Sequence, residues 1–212
     1  MEGLSNRLSF YFADQGLYSG EFTFKLGSGG IMKLLLITFL FCFSLQAENK
    51  FTVEQLKKII NGKESKTISK EMQFFPLFKK STVKMVYEYK DAAKDPLKVS
   101  TIALEKYIEG KYLVVELKIP NSPSFYSVIM WNDKMKYYES WYLAPDQKVF
   151  VMIAKLTKRK GRLAWEGKTP QGEIYKGYSD YSKDLISWEG KYYSPEGKFI
   201  YSESGNSVPV TE

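Results

Sequence analysis

The chain has 212 residues, 31 Lys+Arg against 24 Asp+Glu, one cysteine and no histidine, for a net charge of +7. The missing histidine excludes Ser-His-Asp and Cys-His catalysis, histidine-ligated haem and histidine-bound zinc, and one cysteine excludes an intrachain disulfide or a thiolate metal cluster. The length, with 44% hydrophobic and 26% charged residues, fits one ordinary globular domain with appendages.

The first distinctive segment is 32–47, Met-Lys-Leu-Leu-Leu-Ile-Thr-Phe-Leu-Phe-Cys-Phe-Ser-Leu-Gln-Ala. One positive charge, Lys33, precedes an apolar run from Leu34 to Leu45 and then Gln46-Ala47, the layout of a secretory signal peptide cleaved after Ala47. The run is too short to cross a bilayer, which takes about 20 apolar residues. Phe41 stands before Cys42 where a lipoprotein site wants a small residue, and no paired arginine marks the twin-arginine route. A signal peptide starts close to its apolar run, so Met32 is the expected start and 1–31 a mis-assigned extension. Gly29-Gly30-Ile31 is compatible with a purine-rich ribosome-binding tract. The alternative is a genuine long leader containing the apolar patch Leu8–Phe12. Removing 47 residues from 212 leaves 165, without cysteine and still at +7, because the leader holds three charges of each sign. Such a protein is periplasmic or extracellular.

Segment 48–80 reads as a short helix and a linker. Thr52 is an N-cap with Gln55 as the reciprocal member of a capping box, and Gly62 suits the stop. Val53, Leu56, Ile59 and Ile60 share one face. After a charged stretch, Met72, Phe74, Phe75, Leu77 and Phe78, broken by Pro76, form a plug-like segment expected to pack under the main domain.

From Ser81 the period changes to two. Val83, Met85, Tyr87 and Tyr89 alternate with Lys84, Glu88 and Lys90, and similar runs follow at 97–108, 111–119, 125–132, 135–143, 147–156, 161–167, 172–181, 184–193 and 197–204. Connectors such as Glu109-Gly110, Ala144-Pro145-Asp146 and Pro195-Glu196-Gly197 are short, which forces antiparallel neighbours. The expected fold is therefore mainly β: an up-and-down antiparallel meander of about ten strands over 81–212, closed or nearly closed into a barrel to hide its edges. Trp165-Glu166-Gly167-Lys168 and Trp188-Glu189-Gly190-Lys191 form a weak repeat. Gly167 and Gly190 fall within or at the ends of strands, where glycine marks a bend or bulge.

Twenty-five aromatic residues follow Ala47, fourteen of them tyrosine. Trp131, Trp141, Trp165 and Trp188 lie on four different strands, and Tyr137 and Trp141 point one way while Tyr138 and Tyr142 point the other. Aromatics on both faces suit a pocket for an apolar, amphipathic or sugar-like ligand, or a core with cross-strand aromatic pairs. These four tryptophans, with Glu139 on the face of Trp141, are the candidate ligand contacts. Glu116, Glu166 and Glu189 are weighed as carboxylates for glycoside hydrolysis, which needs two at a defined separation. Alternation places Glu116 with Val114 and Lys118 on a face that looks solvated, opposite Leu113, Val115 and Leu117. No catalytic residue, metal ligand or cofactor is assigned. The basic excess after Ala47 is 26 Lys against Arg159 and Arg162, which argues against specific nucleic-acid reading. The cluster Lys155–Arg162 suits a solvated hairpin tip or attraction to anionic lipid or envelope polysaccharide.

Ala103–Leu117, with Tyr107-Ile108-Glu109-Gly110-Lys111-Tyr112-Leu113-Val114, resembles a hairpin of secreted bacterial barrel proteins of unknown function. Trp131-Asn132-Asp133-Lys134-Met135-Lys136-Tyr137-Tyr138-Glu139-Ser140-Trp141 looks like their following hairpin. The resemblance spans roughly residues 70–204 in strand order and implies a lipocalin-like (calycin or nitrobindin-type) barrel with a central cavity. Nitrobindins hold haem through a histidine that this chain lacks, so haem does not carry over. The lipocalin Gly-x-Trp signature is also missing near Ser81. The function expected is non-catalytic binding of a small apolar or amphipathic ligand. The alternatives are an envelope interaction protein that binds anionic lipid, polysaccharide or a protein partner through its lysines, and a glutamate-dependent hydrolase.

Overall fold

The computed structural model describes residues 51–90, 95–118 and 122–210. The expected extension 1–31 and signal peptide 32–47, with Cys42, lie outside the described residues. Helix α1 (Val53–Ile60) opens the described chain, and the capping box forms as its sequence implies. The Gln55 amide donates to Thr52 Oγ1 at 3.2 Å and the Thr52 amide to Gln55 Oε1 at 2.8 Å. Gly62 follows the helix for a reason of space, since a Cβ there would meet Ile108 at 2.5 Å.

Ten strands follow: β1 (Lys80–Tyr89), β2 (Leu97–Ile108), β3 (Tyr112–Lys118), β4 (Phe125–Asn132), β5 (Tyr137–Leu143), β6 (Val149–Leu156), β7 (Arg162–Lys168), β8 (Ile174–Tyr181), β9 (Ile186–Tyr193) and β10 (Phe199–Pro209). Each pairs antiparallel with its sequence neighbours, and β1 pairs with β10 from Ser81↔Pro209 to Tyr89↔Tyr201, so the barrel is closed. Closure leaves no row of unpaired backbone groups on any strand. At the seam, Ser207 Oγ donates to Ser81 Oγ at 2.7 Å, which satisfies two buried hydroxyls together. The hairpin tips turn on left-handed residues, among them Glu109 and Gly110 at φ 53° and 68°, as a tight two-residue turn requires. The last strand runs to Pro209, five residues beyond its expected end, because β1 and β9 both pair with it across Gly205 and Asn206.

Two apolar clusters sit on opposite sides of the wall. Inside lie Tyr107, Leu113, Ile129, Tyr138, Met152, Ala154, Leu163 and Trp165, together with Met72 and Phe75. Outside, Leu56 and Ile60 of α1 cover Val114, Val128, Trp141 and Leu143. Val114 is thus fully buried, in contrast to the solvated face expected for it, because α1 lies over that part of the wall. Each fully buried aliphatic side chain contributes about 1.5–3 kcal/mol, enough to hold a helix too short to persist alone.

The segment after α1 closes one end of the barrel. Residues 71–74 form a single 3-10 turn followed by Phe75. Tyr107 donates its hydroxyl to the carbonyls of Met72 (2.8 Å) and Phe75 (3.1 Å), and Tyr138 to that of Glu71 (2.8 Å). The Phe75 ring packs edge-on against Tyr138 and Tyr181 with centroids 5.0 and 5.1 Å apart. The Phe78 amide donates to the buried carboxyl of Glu105 at 2.9 Å. The plug is therefore held by hydrogen bonds to its backbone as well as by apolar contact. Tyr107→Phe leaves the Met72 and Phe75 carbonyls without this donor, and a loss of about 1–3 kcal/mol is expected from equilibrium urea unfolding; an unchanged midpoint would show that these bonds do not anchor the plug.

Candidate functional site

The barrel is wider than its wall side chains fill. A cavity of about 500 Å³ occupies the half away from the plug, between the inward side chains of β1 and β3–β10 and the turns that follow β5 and β7. The second of these turns contributes Thr169, Pro170 and Gln171 to the mouth. A smaller apolar space of about 160 Å³ continues toward Phe75, sharing Met85, Leu117, Ile129, Tyr181 and Trp188 with the first. The interior is thus mainly apolar at its closed end, with Glu105 beside the plug, and polar at its mouth.

Its wall is built from aromatic rings laid over glycines. Gly177 and Gly190 face each other across β8 and β9, and a Cβ on Gly190 would stand 2.3–2.5 Å from the Tyr175 ring and hydroxyl. Gly205 pairs with Trp188, and a Cβ there would meet the indole at 2.4 Å. Gly190, expected to mark a bend or bulge, instead keeps regular pairing and leaves room for a ring to lie flat on the wall. Tyr192 stacks on Tyr201 with centroids 4.2 Å apart and meets Tyr175 at 4.9 Å. Opposite, Tyr142 stacks on Phe150 at 4.7 Å.

Glu203 on β10 points into this tyrosine wall. Tyr192 donates its hydroxyl to Glu203 Oε2 at 3.2 Å, and the Tyr175 hydroxyl lies near the same carboxyl. Glu203 is half-buried, and it borders the cavity. Removal from bulk water raises its pKa, opposed in part by the two tyrosine hydroxyls. Burial also pushes Tyr87 and Tyr142 up to about 12, and raises Tyr175 and Tyr192 further, with the Glu203 charge acting in the same direction on all four. Glu105, near the plug, is raised by burial against the Phe78 amide and Ser81 hydroxyl.

The five residues expected to contact a ligand do not share one site. Trp165 and Trp188 border the cavity. Trp131 packs against the inner cluster, its ring 4.8 Å from Tyr138, near the plug. Trp141 and Glu139 lie on the outer wall under α1: Phe51 meets the indole edge-on at 5.1 Å, and Trp141 Nε1 donates to Glu139 Oε2 at 2.8 Å. Asn132 donates to the other oxygen of Glu139 at 2.6 Å, so this buried carboxylate has a donor on each oxygen. Glu116 is also on the outer wall and takes hydrogen bonds from Ser124 and Tyr126, while Glu166 and Glu189 line an outer groove with Lys176 and Lys191. Besides Glu105 at the plug, the wall turns Glu203 inward, and sequence did not single it out. Its signal was the alternation Tyr201, Glu203, Gly205, Ser207, a glutamate on the face carrying a ring and a glycine. In the basic hairpin tip, Arg159 and Arg162 both reach Asp180 (3.6 and 2.8 Å), which leaves Lys155, Lys158 and Lys160 as its exposed lysines.

No family model matches the chain, and no curated protein matches it. Among solved structures, it is similar to a protein of unknown function from the DUF3598 family of Nostoc punctiforme, at 12% identity and a TM-score of 0.47. That match covers 69% of this chain and 51% of the other, so the chain spans about half the length of that relative. The ywiB protein of Bacillus subtilis matches at 13% identity and a TM-score of 0.31, over 62% of this chain and 91% of the other. Among the described residues no helix is long and apolar enough to cross a membrane.

The raised pKa of Glu203 sets a sign for stability. A carboxyl that holds its proton more tightly in the folded state stabilises the fold fully below its unfolded pKa and loses that contribution as pH rises through the folded value. Glu203→Gln, which keeps an acceptor for the tyrosines, is expected to melt above the parent protein at pH 8, with the gap closing as pH falls toward about 4. Thermal unfolding across that range checks it, and a variant less stable at pH 8 would contradict it.

Proposed function

We propose that this is an exported protein, periplasmic or extracellular, that holds one small amphipathic molecule in its barrel without transforming it. The observation that carries this reading is the cavity of about 500 Å³ with an apolar extension toward the plug, a size and lining typical of small-molecule sites. The plug at one end supports a lipocalin-like mode, in which a ligand enters at the other, between the turns after β5 and β7. Trp165 and Trp188, which border the cavity, are the tryptophans that touch it in this reading. Trp141 and Glu139 support the outer wall beneath α1, and Trp131 braces the interior beside Tyr138.

The rival reading, attraction of anionic envelope components to surface lysines, draws on the exposed tip at Lys158 and Lys160 and does not need the cavity. The two separate in one experiment. Native mass spectrometry of the protein purified from its own envelope without denaturant is expected to show a discrete added mass that is lost on unfolding. A bare mass across several growth conditions, with envelope association that weakens steeply as salt rises, would contradict the carrier reading and favour the rival.

A further inference from the structure

Resting on the carrier reading above, we infer that the bound molecule carries a positively charged alkylammonium group, seated against Glu203 and the surrounding tyrosine rings, with its apolar part directed toward Phe75. The protein is basic overall, at +7, yet its cavity is acidic. Glu203, Glu173 and Asp146 border it, and Lys148 is the one basic side chain that does so among the described residues. Lys148 is already engaged, its Nζ 2.7 Å from Asp146 Oδ2 at the mouth. Glu203 therefore faces the cavity with the Tyr192 hydroxyl as its partner and, among the described residues, no cation paired with it.

A carboxylate removed from water without a counter-charge is held at a cost that an incoming cation relieves. The neighbouring groups suit such a cation. Tyr175, Tyr192, Tyr201 and Trp188 border the same space, and aromatic faces attract ammonium groups, more strongly where water is excluded. An anionic head group would meet Glu203 and Glu173 as like charges, and a neutral one would leave Glu203 uncompensated. A metal ion is poorly served: among the described residues no group of three acidic, cysteine or histidine side chains comes together to hold one. Beyond the tyrosine ring, Met85, Val83, Leu113 and Ile129 provide an apolar path toward the plug, where the one acid, Glu105, is already taken up by the Phe78 amide, so an alkyl chain lies there and the charged head at Glu203.

The test compares three probes of equal chain length, octylammonium, octanol and octanoate, by isothermal titration at pH 7.5 with the purified protein and with Glu203→Gln. Octylammonium is expected to bind at least about tenfold tighter than octanol, with octanoate weakest. In Glu203→Gln the advantage over octanol should vanish. The comparison within the parent protein stands even if the variant folds poorly. Octanol or octanoate binding as tightly as octylammonium would overturn the cationic head group and leave the cavity reading intact. An ammonium preference that survives in a folded Glu203→Gln would overturn the role of Glu203. Failure of all three probes to bind would overturn both readings together.

Discussion

The interior of a closed barrel widens with the number of strands, and at eight strands side chains from the wall can just fill it or leave room for one small ligand. This chain closes ten. Side chains from the wall alone then cannot meet at the centre, and an unfilled apolar centre forfeits dispersion contacts on every residue lining it. Something besides the wall has to occupy the space. The protein meets that constraint differently along the axis. Near the β2–β3 turn the plug inserts Met72 and Phe75 and is tied to Tyr107 and Tyr138 by its backbone carbonyls. In the other half, rings lie flat over glycines and leave the centre open.

The ring-over-glycine arrangement explains why β8, β9 and β10 tolerate glycines that weaken ordinary strands. Gly177, Gly190 and Gly205 give up side-chain packing of their own, and Tyr175 and Trp188 cover the backbone they leave bare. The same choice turns a wall of large residues into a thin one, which is how aromatic density and an open cavity coexist. It also brings the Tyr192 hydroxyl to the inward Glu203 carboxyl, with the Tyr175 ring beside it on the same wall. The outer wall follows a separate logic. Between β3 and β6 its apolar side chains need α1 as a cover, whereas across β7 to β9 it carries Glu166, Lys176, Glu189 and Lys191 and faces water directly.

Much of this was legible in the sequence because strands and turns are written locally. Period-two runs of Val, Ile, Tyr and Trp, broken by Glu109-Gly110 or Pro195-Glu196-Gly197, are enough to count ten strands and to require antiparallel order. Thr52 with Gln55 located the helix start, and the aromatic cluster around Pro76 announced a plug. What was not legible depends on which distant element covers which face. Nothing within β3 distinguishes Val114 from a solvated residue; only the placement of α1 buries it. Tyr137 and Trp141 opposite Tyr138 and Tyr142 showed that both faces of β5 carry rings, but alternation cannot say which face is inside. Hence Trp141 and Glu139 were grouped with Trp165 and Trp188, although the wall separates them. Glu203 carries no local mark of its surroundings, because the tyrosines around it, Tyr175 and Tyr192, come from other strands.

The central claim is that the barrel interior is a binding site with a polar centre and an apolar closed end. The most direct test is a crystal structure of the protein equilibrated with an alkylamine carrying a terminal bromine, located by its anomalous scattering. A single bromine site among Met85, Leu113, Ile129 and Trp188, with the amine toward Glu203, is the result this account predicts. Bromine on the outer wall, or an interior closed over by Tyr175 and Trp188 with no space between them, would contradict it.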